Sequence, residues 1–291
     1  MLHRRRQHPL RRKDPRAPQQ PVPYAAHPFT VPLPPAVAAA VNRSHLSLLG
    51  VEPDISIVGE VRRKGQYEPH VMEAIVRFLP PGGTFIDVGA NLGIHALLSA
   101  ARVGAEGRVL AVEASPITYS LLAHNLASSG CPGAVAIHAA AWSRPEVLSF
   151  RHVTQVIGGS HVTFTGRERP WDGVQYQVLA VPLDTLVALT ELERVDLIKI
   201  DVEGSEHRVL EGAAETLRRL RPTLVIEFNP ETARFYDGHT AGDLHRLVRE
   251  LGYRMAFLNP DHVSLDANDY AVMERIWRSH NQLLEVACTP L

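Results

Sequence analysis

Gly82 and Gly83 turn the chain into Thr84-Phe85-Ile86-Asp87-Val88-Gly89-Ala90-Asn91-Leu92-Gly93, and no other stretch restricts the fold as strongly. Thr84 to Val88 is a short β-branched and aromatic run, which predicts a buried strand. Gly89, Ala90 and Gly93 leave so little side chain in the following loop that a ligand can lie against its backbone. Leu92 to Arg102 predicts a helix. Strand, small-residue loop and helix in this order present free backbone N–H groups to a nucleotide-like ligand.

A second strand is expected over Arg108 to Glu113, which completes a βαβ unit. Its terminal Glu113 stands where an acidic residue takes the two ribose hydroxyls of an adenosine. The loop spacing is Gly-x-x-x-Gly, not the Gly-x-Gly-x-x-Gly that a pyrophosphate favours. Asp87 adds a carboxylate where a dinucleotide would bring negative charge. Both points favour S-adenosylmethionine (SAM), whose sulfonium and amino groups are cationic.

Downstream, strands alternate with helices. Ser115-Pro116 caps a helix over Ile117 to Ser128, and a third strand is expected over Ala134 to Ala139. Val147 to Val181 lacks helical periodicity and reads as a β-rich excursion that covers the site. A short helix starts at Leu183. Strands follow over Val195 to Val202, Thr223 to Phe228, Tyr253 to Leu258 and Leu283 to Ala287, with helices over Glu206 to Leu220 and Asp243 to Leu251. This alternation predicts an α/β fold with a doubly wound, mainly parallel sheet. Upstream, a helix is expected over Ala36 to Leu49, and another follows Pro69 with Val71, Met72, Ile75, Val76 and Leu79 on one face.

The 291 residues suit one large domain over 36–291, preceded by an arm over 1–35. The arm is rich in Pro, Arg and Gln and is expected to be disordered. Residues 1–16 hold six arginines, one lysine and one aspartate, a charge of +6, so the remainder carries −7. A body of that sign has no nucleic-acid footprint. Cys131 and Cys288 lie far apart without a metal-ligand motif, which points to reduced thiols and the cytoplasm. No apolar stretch spans a bilayer, and the Arg-rich start lacks the apolar segment of a signal peptide.

The second informative stretch is Val195-Asp196-Leu197-Ile198-Lys199-Ile200-Asp201-Val202-Glu203-Gly204-Ser205-Glu206. A central parallel strand is normally apolar throughout, so Lys199 requires partners. Lys199, Asp201 and Glu203 share one face by strand alternation. Asp87 and Glu227, the latter in Leu224-Val225-Ile226-Glu227, are expected on neighbouring strands. Ligands bind outside the carboxyl ends of such strands, so these five groups should converge beside the small-residue loop. An ion pair that only fixes strand geometry is the competing account of Lys199.

Asp87 to Gly93, Ile198 to Glu206 followed by Val209-Leu210-Glu211-Gly212-Ala213, and Ile226-Glu227 together resemble the FkbM family of SAM-dependent methyltransferases. The resemblance implies the class I methyltransferase fold, a seven-stranded sheet with one antiparallel strand. It implies methyl transfer, most often to oxygen, on secondary metabolites or sugars. It places Asp87, Gly89, Ala90, Asn91 and Gly93 around the methionine part of SAM, Glu113 on the ribose and Ala140, beside His138, near the adenine. Glu68, after Tyr67, is implied at the SAM amino group.

A hydroxyl acceptor must lose a proton. Asp201 is the first candidate base, followed by Glu203 and Glu227, with Lys199 in the same catalytic set and His161 as a further candidate. Asp201, Glu203 and Glu227 could hold Mg²⁺, but no compact ligand motif supports this and Lys199 would repel a cation, so no metal is expected. Trp142, Trp171 and Tyr176 could stack on an acceptor ring. The expected partner is a small-molecule acceptor. A nucleic-acid methyltransferase anchored by the arm, a non-catalytic SAM-binding protein and a nucleotide-dependent oxidoreductase are the competing readings. The first lacks the Asn/Asp-Pro-Pro-aromatic motif after the fourth strand.

Overall fold

The computed structural model describes residues 25–52, 54–163, 173–229, 232, 238–280 and 283–291. The expected βαβ unit is present: β3 (Thr84–Val88), α4 (Ile94–Val103) and β4 (Arg108–Glu113). It is followed by α5 (Pro116–Ala127), whose Ser115 cap accepts the Ile117 and Thr118 N–H groups, and by β5 (Ala134–His138). After the excursion come α6 (Leu183–Leu189), β10 (Leu197–Ile200), α7 (Glu206–Glu211), α8 (Ala214–Leu220) and β11 (Thr223–Phe228). The chain closes through α9 (Ala241–Glu250), β12 (Tyr253–Phe257), α10 (Tyr270–His280) and β13 (Leu284–Pro290).

Seven strands form one sheet in the order β12-β13-β11-β10-β3-β4-β5. Only β13 runs antiparallel to its neighbours. From β3 the chain winds outward through β4 and β5, then returns to β10 and winds the other way. The order therefore reverses between β3 and β10, where Lys199 lies in register with Asp87. Side-chain alternation assigns the two faces. Phe85, Val109, Ala111, Leu197 and Val225 pack under α4, α5 and α3 (Pro69–Phe78). Ile86, Val88, Leu110, Val112, Ile198, Ile200, Leu224 and Ile226 pack against α6 to α10. Asp87, Lys199 and Glu227 have the parity of the first face and emerge together on it.

The excursion is a small sheet, β6-β9-β7-β8, built from β6 (Ala140–Ala141), β7 (Glu146–Val153), β8 (His161–Val162) and β9 (Gly173–Val181). Its Phe150, Val162 and Trp142 form a third apolar cluster.

Three expectations need correction. The arm was expected to stay disordered through residue 35, and instead β1 (Ala25–Pro32) pairs antiparallel with β2 (His45–Glu52); residues 1–24 lie outside the described residues. The helix expected over Ala36 to Leu49 is only α1 (Pro35–Val41), ended by Asn42 in the left-handed region. The rest is β2, held by Asn125, which accepts the Leu49 N–H and donates to the Leu49 and Leu92 carbonyls. That anchor lies 76 residues away, beyond what the local alanine-rich pattern can encode. The helix expected over Glu206 to Leu220 breaks at Gly212, whose place against the Trp142 carbonyl leaves no room for a Cβ. α2 (Val58–Lys64) and α10 were not anticipated.

Candidate active site

A cavity of about 390 Å³ opens at the carboxyl ends of β3, β4, β10 and β11. Gly89 leaves β3 with φ +79°, and a Cβ there would meet the Asp201 carbonyl at 1.8 Å. The Gly89 and Ala90 N–H groups donate to the Val112 carbonyl, which draws the loop back over β4. Asn91 follows at φ +50°, and its N–H donates to Glu113 Oε2 at 2.8 Å. Glu113 Oε1 accepts from the Ser115 N–H and the Thr118 hydroxyl. Burial raises the Glu113 carboxyl, and these three donors oppose the shift.

Gly89, Ala90, Asn91, Glu113, Ala140, Glu68, Lys199, Asp201, Glu203 and Glu227 all line this cavity. Asp87 and Gly93 stand at the two ends of the same loop, outside that lining. The Asp87 side chain is 1% exposed and in register with Lys199 on the neighbouring strand. Burial raises its carboxyl to about 6, against the lowering effect of Lys199. Gly93 makes the turn into α4 at φ +89°, with its Cβ position against Leu122.

Lys199 Nζ donates to Asp201 Oδ2 at 2.9 Å. Burial disfavours its charge, but Asp201, Asp87 and Glu68 outweigh this and raise its pKa. Glu68, at φ +39° before Pro69, lies 3.5 Å from His95 Nε2. Burial raises Glu68 to about 7, and burial, then Lys199 and His70, hold the His95 imidazole well below its ordinary value. Glu203 sits at φ +53° in a turn closed by Glu206, whose Oε1 accepts the Val202 and Gly204 N–H groups. Glu203 and Glu227 are both raised well above an ordinary carboxylate, first by burial and then by Asp201 and the other carboxylates nearby.

Other sequence candidates fall elsewhere. The His161 ring bonds through Nδ1 to the Gly159 carbonyl and does not line the cavity. His138 stacks on Tyr119 at the surface, and its Nε2 bonds to the Ala114 carbonyl. Trp142 lines the cavity and donates to Glu146, Tyr176 does not line it, and Trp171 lies outside the described residues. The 157–160 turn in the lining belongs to the Val147 to Val181 excursion expected to cover the site, whereas the structure adds Ser56, Ile57 and His95, which no local motif announced. Only Asp54 hints at them, as an acidic residue two positions before Ser56.

The profile of the Methyltransferase FkbM domain matches residues 87–255, more than half of the chain. The chain belongs to the FkbM methyltransferase family. Methyltransferase sdnD of Sordaria araneosa is 27% identical over 175 residues, 51% of this chain and 67% of its own. Methyltransferase 1 of Beauveria bassiana is 23% identical over 211 residues, 67% of this chain and 82% of its own. Hexuronic acid methyltransferase AglP of Haloferax volcanii is 29% identical over 140 residues, 48% and 53% of the two chains. Among solved structures, FkbM of Methylobacillus flagellatus KT is 17% identical with a TM-score of 0.40, covering 64% of this chain and half of that one. The chain is an FkbM methyltransferase built on a seven-stranded sheet with one antiparallel strand. Among the described residues, no helix is long and apolar enough to cross a membrane.

Proposed function

We propose that this FkbM methyltransferase moves a methyl group from SAM to a hydroxyl oxygen of a small molecule, a secondary metabolite or a sugar. The observation that carries the reading is one shared cavity: the Gly89–Asn91 loop and Glu113 line it together with Asp201, Glu203 and Glu227. The relative named for a hexuronic acid supports a sugar-like acceptor.

The residues fit the cofactor. The missing Cβ at Gly89 keeps the loop against the Asp201 carbonyl. Asn91 Oδ1 is buried without a partner at the cavity wall. Glu113 Oε2 accepts a single N–H and keeps a lone pair for a ribose hydroxyl. Glu68 offers a carboxylate to an ammonium. Ala140 is small and buried, which leaves room for a flat ring. When bound, SAM supplies a methyl group already activated by its sulfonium.

The chain's own contribution is positioning and proton removal. Asp201 is the first candidate to take the hydroxyl proton, and Lys199 holds its Oδ2 in place. Both cysteines are unpaired and buried, which supports a cytoplasmic setting.

Calorimetric titration with SAM and, separately, with NAD⁺ tests the reading. We expect SAM to bind, NAD⁺ not to bind, and Glu113→Ala and Glu113→Gln to weaken SAM by tenfold or more. Folded protein that ignores SAM and binds NAD⁺ overturns it.

A further inference from the structure

We propose that Asp201, Glu203 and Glu227 form a binding site for one hard divalent cation, of the Mg²⁺, Mn²⁺ or Ca²⁺ class, at the acceptor end of the cavity. The three side chains come from two pieces of backbone, the loop after β10 and the end of β11. Asp201 follows β10, Glu203 stands in the turn closed by Glu206, and Glu227 lies one residue before the end of β11. One oxygen from each lies within 4.8 Å of the other two. Two ligands on a cation with 2.0–2.6 Å bonds are at most about 4–5 Å apart, so one ion can engage all three. An all-oxygen, all-carboxylate set selects a hard cation over zinc or copper.

Ser205 follows Glu203 by two residues in the same loop, and polar atoms on this stretch and on Glu227 lack partners among the described residues. Ser205 Oγ, on a residue 3% exposed, has no hydrogen-bond partner and lines this cavity. Glu227 Oε2 is shut off from solvent and also has none. Its neighbour in register across β11 and β13 is Glu285, which lies 3.2 Å from His70 Nε2 and accepts from Asn259 Nδ2. The objection from sequence was Lys199. It is the single Lys or Arg among the described residues that line the cavity, and its Nζ is held by Asp201 Oδ2 over Asp87. Its charge is thus committed to one edge of the cluster, and Glu203 and Glu227 have no basic partner there among the described residues.

A cation at this position would stand where the proposed acceptor hydroxyl loses its proton and would lower that hydroxyl's pKa. This consequence rests on the methyltransferase reading; the binding site does not. The test is titration of chelator-treated full-length protein with Mn²⁺, followed by loss of the free-ion paramagnetic resonance signal, with Mg²⁺ and Ca²⁺ as competitors. We expect one site, displaced by Mg²⁺ or Ca²⁺, and at least tenfold weaker in Glu227→Gln. Glu203→Gln serves the same purpose if the first variant does not fold, and circular dichroism reports the fold of each. Folded wild-type protein that binds no Mn²⁺ at millimolar free ion overturns the proposal. Equal binding by wild type and both folded variants places the ion elsewhere and overturns it too. A SAM titration on the same samples separates the two readings: SAM binding without Mn²⁺ binding sinks the metal site alone.

Discussion

At the scale of single residues, this site stores charge where a fold would ordinarily avoid it. Glu206 shows the cost most cleanly, because its role is structural. It is 1% exposed, accepts the Val202 and Gly204 N–H groups through one oxygen, and is raised by burial to about 7. A carboxyl raised in the folded state binds more protons than its unfolded counterpart between the two pKa values, so stability falls as pH rises through that window. Glu206→Gln keeps an oxygen acceptor for both N–H groups and removes the titration. We expect its stability relative to wild type to improve by about 1–3 kcal/mol from pH 4.5 to pH 8, an upper range for a shift of this size. Urea unfolding at both pH values measures this; a difference independent of pH would contradict the account. The positive φ angles of Glu68, Asn91 and Glu203 belong to the same economy, since the side chains they aim line the cavity.

At the scale of elements, the cavity is closed by pieces that are distant in sequence, and Asp54 joins two of them. Its Oδ2 accepts the Ile57 and Val58 N–H groups that begin α2. Its Oδ1 accepts the Ser56 N–H and hydroxyl and the Ile157 N–H of the covering turn. Asp54→Ala should cost about 2–4 kcal/mol, since it combines loss of a helix cap with buried donors left unpaired. Hydrogen exchange should speed up at Ile57, Val58 and Ile157 while the β3 and β10 amides stay protected. Uniform loss of protection would mean that Asp54 supports the whole core instead. The sequence marks α5 and its Ser115-Pro116 start because cap and first turn are local. It does not mark β2 or the anchor of the Ile157 turn, whose partners lie 76 and 103 residues away.

At the scale of the whole molecule, every described residue lining the cavity comes from Ser56 onward. Deleting residues 1–24, just short of β1, is therefore expected to leave SAM affinity within about twofold and to reveal no salt-dependent RNA binding that the full chain possesses. Filter binding of RNA at two salt concentrations, beside SAM calorimetry, decides it; RNA binding that disappears with the arm would revive a nucleic-acid acceptor. The sequence by itself determined the sheet and its βαβ core, the small-residue loop, Glu113 at the end of β4, and the convergence of Lys199, Asp201, Glu203 and Glu227. These are periodicity and strand-end properties, set by alternation along a strand and by the rule that parallel sheets bind ligands at their carboxyl edge. Only the tertiary structure decided that β1 and β2 pair, that Asn125 ties β2 to the loop after β3, and that His161 turns to a carbonyl. Those outcomes depend on which distant chain segments pack together, and a linear pattern carries no distance between residues that are far apart in it.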